Sequence, residues 1–250
     1  MDTTYKLFCC THVQTKTIDE ELYQLLQTGR AFDQRILANM AGDDTGDHIS
    51  LYKDIYDGFL TGLYWIWKNT AYDVTGICGY RSYMGLDEHT PFRLADIKRL
   101  FEAEGVDFAV AREICDGETV EEHFRHHHHQ FYYEYLHDPW MYMREVVGDL
   151  CPEYKDALDQ VLANKLFNYR NMLIARKEYL DAYCQWLFGL LSEYKQHLDE
   201  RNYKIPPRFF GYMAERLQRV WLLRQNIRIR ECSVVLVSGR NQGLGTGGER

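Results

Sequence analysis

Short apolar runs alternate with amphipathic segments along this chain, and the alternation limits the folds that it can adopt. Residues 5–13, 74–78, 106–110 and 171–175 are short and apolar, as is typical of buried strands. Residues 54–69 carry large apolar side chains at every fourth position, which places these side chains along one face of a helix. Strands that alternate with helices predict an α/β fold with a mostly parallel sheet flanked by helices.

The second half of the chain is predicted to be rich in helices. Thr119 and Glu122 have the spacing of a capping box and indicate the start of a helix. Two longer amphipathic segments lie at 177–200 and 208–226, and a β-branched run at 227–237 predicts a last strand. The helices of this half are expected to cover one side of the sheet or to form a small subdomain.

Length and cysteine content indicate one domain with reduced thiols. The chain has 250 residues, 46% of them apolar, which is enough for the core of one large domain. No linker-like stretch interrupts it, so we expect a single domain over residues 1–238 and a flexible tail over the Gly-rich residues 239–250. Seven cysteines without a C-x-x-C pair, and no apolar run of the length of a membrane span or secretory signal, predict a cytoplasmic protein.

The net charge restricts the class of partner. At −8 the chain repels a phosphate backbone overall, so no nucleic-acid partner is expected, although a local basic pocket is allowed. The 19 tyrosines combine an apolar ring with a hydroxyl group, which suits amphipathic ligands such as sugars. We expect most of these tyrosines to fill the core.

An acidic loop, AGDDTGDHIS at residues 41–50, allows three interpretations: a calcium loop, a contact with a nucleotide or sugar, or a surface turn. A calcium-binding EF-hand that began at Asp43 would need Gly at its sixth position and Glu at its twelfth. The chain has His48 and Asp54 there, which argues against the calcium loop. The other two interpretations remain open.

Five segments in order give the chain a resemblance to a known family. They are GDDTGDHIS, LTGLYWIWKN, TGICGYRSY, YRNMLIARKEYLDAYCQWLF and FGYMAERLQRVWL. Together they resemble a bacterial family of capsular and exopolysaccharide glycosyltransferases, long described as a domain of unknown function, over about residues 5–237. The resemblance implies a variant of the GT-A fold, a nucleotide-sugar donor such as a UDP-sugar, and a growing surface glycan as acceptor. Because some members resemble galactofuranosyltransferases, UDP-galactofuranose is the first candidate donor.

The donor diphosphate is expected to be held without a metal ion. The chain contains no Asp-x-Asp tripeptide, the motif with which many GT-A enzymes hold a divalent metal. Gly79, Tyr80 and Arg81 occupy its expected place after the strand at 74–78, and an arginine can neutralise phosphate oxygens directly. We therefore predict Arg81 as a diphosphate contact with Lys68 as its helper, no metal ligands and no required cofactor. A divalent metal in the donor site and a surface salt bridge for Arg81 are the alternatives.

The resemblance also implies further donor contacts at several strand ends and loops. The complete set of predicted nucleotide-sugar contacts is Thr11, His12, Asp43, Asp44, Thr45, Asp47, Lys68, Tyr80, Arg81 and Asn171. Thr11 and His12 follow the first strand, where GT-A proteins meet the base and ribose, and an ordinary turn is the alternative for them. The family pattern His-Tyr-Arg-Arg-Tyr reads Gly79-Tyr80-Arg81-Ser82-Tyr83 here, so one histidine and one arginine are missing.

A carboxylate is needed to deprotonate the acceptor if the transfer inverts the anomeric configuration. Glu215, in the late helix, is the predicted base, and Asp44 is the alternative base. An ion pair of Glu215 with Arg208, Arg216 or Arg219 would instead give this glutamate a structural role.

Four consecutive histidines, His126–His129, are the last notable motif. Only pairs such as His123 with His127, or His126 with His129, share a helical face. No third ligand is evident from the sequence, so we expect these histidines to line an acceptor groove rather than to bind zinc.

The sequence therefore predicts an inverting, metal-independent glycosyltransferase that acts on a glycan or lipid-linked glycan acceptor. Association with the inner face of the membrane or with other polysaccharide-synthesis proteins is expected to be peripheral. A noncatalytic nucleotide- or glycan-binding domain is the alternative, favoured by the departures at Gly79 and Ser82, and a structural subunit of an assembly complex is the third hypothesis.

Overall fold

The computed structural model describes residues 2–115, 117–132 and 138–237, and the predicted tail over 239–250 lies outside these residues. The described strands are β1 (Tyr5–Thr11), β2 (Tyr23–Gln27), β3 (Ala41–Gly42), β4 (Val74–Gly79), β5 (Ser82–Gly85), β6 (Phe108–Ile114), β7 (Leu166–Arg176) and β8 (Ile229–Leu236). The described α-helices are α1 (Arg30–Asp33), α2 (Lys53–Asn69), α3 (Leu94–Lys98), α4 (Val120–His127), α5 (Pro139–Leu150), α6 (Lys155–Ala163), α7 (Lys177–Glu200) and α8 (Phe209–Leu223). The predicted α/β class is confirmed.

The eight strands form one mixed sheet in the order β3-β2-β1-β4-β5-β8-β6-β7, with a further pairing between β4 and β7. Strands β1 to β4 are parallel wherever they pair, and so are β6 and β8. The pairs β4–β5, β4–β7, β5–β8 and β6–β7 are antiparallel. The prediction of a mostly parallel sheet is therefore wrong. Part of the reason is the two-residue turn at Tyr80 and Arg81, because so short a connection can only reverse the chain.

The alternation of side chains along β1 explains its unbroken apolar run. Phe8 and Cys10 face a large hydrophobic cluster beneath α2, α5, α7 and α8. Leu7 and Cys9 face a second cluster, which the segment around α3 covers. Because successive side chains of a strand point to opposite faces, a strand that is buried on both faces is apolar throughout.

Local sequence signals account for the ends of several helices. Thr119 Oγ1 accepts a hydrogen bond from the Glu122 N–H, and the Glu122 carboxylate accepts one from the Thr119 N–H, so the predicted capping box is confirmed. Asp138 caps α5, whose first residue is Pro139. All seven cysteines are buried, and none of them is in a disulfide bond within the described part of the chain. Among the described residues, no helix combines the length and apolar character needed to cross a bilayer.

Candidate active site

A cleft of about 820 Å³ opens where β1 and β4 end and β5 begins. Thr11, the last residue of β1, and His12, which follows it, lie at one wall, and the turn from Gly79 to Ser82 borders them. Residues of α4, the middle of β7 and the first turns of α8 complete the opposite wall. The carboxyl ends of parallel strands are where open α/β sheets bind their ligands.

The first wall contains four of the predicted donor contacts. The His12 and Tyr80 rings meet edge to face, with centroids 5.7 Å apart, and the Arg81 guanidinium lies 4.9 Å from the centroid of the Tyr80 ring. Thr11 is buried, and its hydroxyl group donates to the Val13 carbonyl at 2.8 Å. Arg81 is exposed and makes no ion pair with any side chain that the structure describes. Its guanidinium group is therefore available to an anionic ligand.

The acidic loop does not line this cleft. Asp43 is fully buried, and its carboxylate accepts hydrogen bonds from the Gly29 N–H at 2.7 Å, the Arg30 N–H at 3.1 Å and the Ser50 hydroxyl at 2.6 Å. Asp44 forms an ion pair with Arg30 at 2.5 Å. These contacts connect the loop to residues 29–30 and to the segment before α2, so both carboxylates have structural partners.

Three other predicted contacts, Thr45, Asp47 and Lys68, also lie outside the cleft. Their side chains contact aromatic residues of α2 instead. Thr45 Oγ1 accepts a hydrogen bond from Trp65 Nε1 at 3.0 Å, and Asp47 accepts one from the Tyr64 hydroxyl at 3.2 Å. The Lys68 ammonium lies 3.6 Å from the centroid of the Trp67 ring. The loop is a polar turn packed on α2.

Glu215, the predicted base, lies in the cleft wall formed by α8. Its side chain is only 13% exposed. Oε1 accepts a hydrogen bond from the Arg170 N–H at 3.0 Å, and Oε2 pairs with Arg216 Nη1 at 2.6 Å. Burial raises the pKa of Glu215 to about 7, although Arg216 and the Arg170 N–H act in the opposite direction. A carboxyl group with this pKa can exchange a proton near neutral pH.

Arg216 is a fixed, buried cation behind this carboxylate. It is 1% exposed and lies between the rings of Phe167 and Phe124, at 4.3 and 5.2 Å from their centroids. Its Nη1 also donates to the Tyr212 carbonyl at 3.0 Å, and its Nη2 lies 3.3 Å from His123 Nδ1. The guanidinium group thus orients Glu215 and contacts His123. The alternative partner Arg219 pairs with Glu231 instead.

Unusual backbone conformations are concentrated at the cleft. Asp57, Arg170, Asn171 and Arg208 have φ values of 70°, 59°, 55° and 59°, and all four line the cleft. Asn171 Nδ2 donates to the Gly211 carbonyl at 2.9 Å, while its buried Oδ1 has no partner in the structure. Positive φ at residues other than glycine is costly, and it persists mainly where the surrounding structure holds it for a function.

Cations outnumber carboxylates in the cleft lining. Lysine and arginine contribute five side chains, namely Lys53, Arg81, Arg170, Arg208 and Arg216. Asp57 and Glu215 are the carboxylates of the lining, and each is paired with an arginine. A local excess of positive charge in a chain of net charge −8 indicates an anionic ligand.

Comparison with known proteins places this architecture in a family. The model of the family described as a domain of unknown function, DUF4422, matches residues 6–226. The chain belongs to the DUF4422 family. This match confirms the family resemblance of the five sequence segments. No protein of curated function shows significant sequence similarity to the chain.

The DUF4422 chain also shares its fold with a solved structure, the apo form of the WbbM bifunctional glycosyltransferase. The TM-score is 0.77 and the sequence identity is 23%. The match covers 98% of the DUF4422 chain and 47% of the WbbM chain, so the chain spans about half the length of that protein. At this identity, the likeness shows a common fold.

Sequence reasoning missed several residues of the DUF4422 cleft. Lys53, Asp57 and Arg170 had no motif that distinguished them from surface charges. Arg208 and Arg216 were considered only as partners of Glu215, whereas both line the cleft. The available sequence signal was the Pro206-Pro207-Arg208 segment, which marks the start of the last helix.

Proposed function

We propose that this DUF4422 domain is a glycosyltransferase with a GT-A-like variant fold, which transfers a sugar from a UDP-sugar to a bacterial surface polysaccharide. The observation that carries the proposal is the cationic cleft at the ends of β1 and β4, with Glu215 held in its wall. The fold shared with WbbM, which is named as a bifunctional glycosyltransferase, supports the proposal.

The donor is assigned to the wall formed by β1 and the β4–β5 turn. Arg81 would contact the diphosphate through its fork of N–H donors, because no described ion pair occupies it. Lys53 and Arg208 are the further cations of this region, and they take the helper role first given to Lys68, which lies outside the cleft. Each of the two is already paired with an aspartate, so we assign them a weaker contact than that of Arg81. His12 and Tyr80 offer ring surfaces to the nucleotide.

The leaving diphosphate is proposed to be stabilised by arginine and lysine rather than by a divalent metal. A metal clamp needs carboxylate ligands that are free to coordinate it. Asp57 and Glu215 are the carboxylates in the described lining, and they already pair with Arg208 at 2.7 Å and Arg216 at 2.6 Å. The arginine and lysine side chains of this cleft therefore suit the binding of a phosphate anion without a metal ion.

Glu215 is assigned as the base. An acceptor hydroxyl in the cleft would lose its proton to the Glu215 carboxylate as its oxygen bonds to the anomeric carbon. The bond from that carbon to the phosphate oxygen breaks, and the nucleoside diphosphate leaves with the electron pair, so the configuration inverts. Asp44 is not assigned this role because it pairs with Arg30 outside the cleft.

Tyr212 lies one helical turn from Glu215 on α8 and also lines the cleft. Its ring contacts that of His128, with centroids 4.1 Å apart. Burial, and after it the charge of Arg216, lower the pKa of His128 to about 3, so this imidazole is neutral at pH 7. A neutral aromatic surface beside the base suits the apolar face of an acceptor sugar.

We propose UDP-galactofuranose as the first donor to assay and a glycan or lipid-linked glycan as acceptor, on the basis of the family resemblance. A protein that uses a lipid-linked acceptor would work in the cytoplasm, at the inner face of the membrane. Other polysaccharide-synthesis proteins are the expected partners there.

A noncatalytic binding domain is the second candidate, and the β4–β5 turn favours it. A Cβ atom at Gly79 would lie 2.7 Å from Ser82 Oγ and 3.1 Å from Phe59 Cζ, so Phe59 and Ser82 occupy the space that a histidine at position 79 would need. A histidine at position 79 would therefore require both side chains to move.

Release of UDP separates the two candidates. The purified chain is incubated with UDP-galactofuranose, UDP-galactose or UDP-glucose, with and without a glycan acceptor, and free UDP is measured. A transferase releases UDP from at least one donor, even slowly to water, and Glu215→Gln abolishes the release. A binding domain retains UDP-sugar affinity but releases no UDP above the level of a protein-free control.

A further inference from the structure

Two histidines of α4 and a nearby carboxylate form an arrangement that the transfer reaction does not use. His123 and His127 lie one turn apart on α4, with ring centroids 4.2 Å apart. Glu118, just before the helix, brings a carboxylate to the same place. One potential ligand atom from each of the three residues lies within 4.8 Å of the others. Glu118 is the third ligand that could not be identified from the sequence.

We propose that Glu118, His123 and His127 bind a divalent transition metal, with zinc as the best fit. Two imidazoles and one carboxylate are a ligand set that zinc accepts while keeping a fourth position open. Tetrahedral zinc with bonds of about 2.0–2.1 Å requires ligand atoms about 3.3 Å apart. Atoms that lie within 4.8 Å can reach this spacing by side-chain rotation, because His127 is exposed and the other two are partly exposed.

Two existing contacts would change on metal binding. Glu118 Oε2 lies 2.5 Å from His126 Nδ1, so this carboxylate would have to leave His126. Arg216 donates to His123 Nδ1, which leaves Nε2 as the ring nitrogen for the metal. With the metal on Nε2, the ring proton moves to Nδ1, and the contact with Arg216 is lost. These costs predict affinity in the micromolar range rather than that of a structural zinc site.

Charge does not prevent binding next to Arg216. Its guanidinium group is paired with Glu215 at 2.6 Å, so the nearest cation is neutralised by its own partner. His123 and His127 both line the cleft. The open position of the metal would therefore be accessible to a carboxylate oxygen of a ligand in the cleft, while the donor diphosphate stays assigned to the other wall.

The test is a titration of metal-free protein with Zn²⁺, in competition with a chromophoric chelator, and with Co²⁺, whose visible absorption reports coordination by nitrogen. His127→Ala and Glu118→Gln remove one ligand each. His129→Ala is the matched control, because His129 belongs to the same run and is exposed but lies outside the cluster. We expect one equivalent of metal, a Kd raised at least about tenfold in both ligand variants, and a Kd within about twofold of wild type in the control.

Two results would overturn the proposal. One is the absence of Zn²⁺ binding. The other is an equal loss of Zn²⁺ affinity in His129→Ala and His127→Ala, which would mean that the consecutive histidines bind metal nonspecifically. Circular dichroism of each variant establishes that it is folded. UDP binding is measured on the same samples in EDTA, so failure of the metal site and failure of the transferase proposal give different results.

Discussion

Asp57 and Arg208 form an ion pair of 2.7 Å between α2 and the start of α8, and both have positive φ. The Arg208 N–H also donates to the Asp54 carbonyl at 2.6 Å. Gly211, one turn further along α8, lies so close that a Cβ there would be 2.8 Å from Asp57 Cβ. Two strained residues therefore fix the distance between the helices and place the Arg208 guanidinium in the cleft.

The Asp57–Arg208 ion pair predicts that Arg208→Gly weakens UDP binding but leaves the stability of the fold nearly unchanged. Glycine removes the cost of the left-handed conformation, and the lost ion pair is worth about 0–1 kcal/mol because the Arg208 side chain is 60% exposed. The free energy of unfolding in urea should therefore change by less than about 1 kcal/mol. The Kd for UDP, measured by calorimetry, should rise about tenfold with the loss of a charge-assisted contact.

Asn202→Gly is the matched control for this variant. Asn202 also has positive φ, at 57°, but it lies outside the cleft lining. We expect a similar effect on stability and no effect on the Kd for UDP. Unchanged affinity in Arg208→Gly would show that Arg208 holds the helices together without touching the donor.

Glu215→Gln tests the assignment of the base. The amide keeps the shape of the side chain but cannot accept the acceptor proton, so kcat should fall about 10²- to 10⁴-fold. The Kd for UDP should stay within about threefold, because the diphosphate is assigned to the other wall. Asp44→Asn, measured in parallel, should retain most of the activity; a larger loss there than in Glu215→Gln would move the base to the acidic loop.

The pH dependence of kcat follows from the raised pKa of Glu215. The carboxyl group is protonated below its pKa of about 7 and can act as a base only when it is ionised above that pH. Activity should therefore rise with pH through about 7 and then level off. A pH–rate profile that is already flat above pH 5 would contradict the assignment.

Asp43 and Asp44 should differ in their effect on stability. Asp43→Ala leaves one buried N–H group, one partly buried N–H group and the Ser50 hydroxyl without their acceptor, which should lower the free energy of unfolding by about 3 kcal/mol. Asp44→Ala breaks a partly exposed ion pair and should cost about 1 kcal/mol or less. Urea denaturation distinguishes the two, and equal losses would contradict the description of the loop.

Much of the fold could be predicted from periodicity, and the reasons for the failures are physical. The boundaries of α7 coincide with the predicted segment 177–200, and α2 begins one residue before its predicted start. β5 was missed because Ser82–Gly85 is too short to show alternation, and this strand adds two antiparallel pairings. β7 was predicted only at 171–175, because the polar residues Asn168 and Arg170 interrupt the apolar run before it.

Site prediction worked where a motif lay at the end of a strand and failed where tertiary contacts decided the outcome. The cleft is lined, as positions at the ends of β1 and β4 suggest, by Thr11, His12, Tyr80 and Arg81. The acidic loop follows the two-residue strand β3, and its burial depends on Gly29, Arg30 and Ser50, which are distant in sequence.

The most direct test of a metal-free nucleotide-sugar site is calorimetric titration with UDP, in EDTA and then with excess Mg²⁺ or Mn²⁺. Wild type, Arg81→Ala and the control Arg99→Ala, an exposed arginine outside the cleft lining, are compared. The account predicts UDP binding in EDTA that is weakened at least about tenfold in Arg81→Ala and unchanged in Arg99→Ala. Binding that requires the metal, or binding that is unaffected by Arg81→Ala, would contradict it.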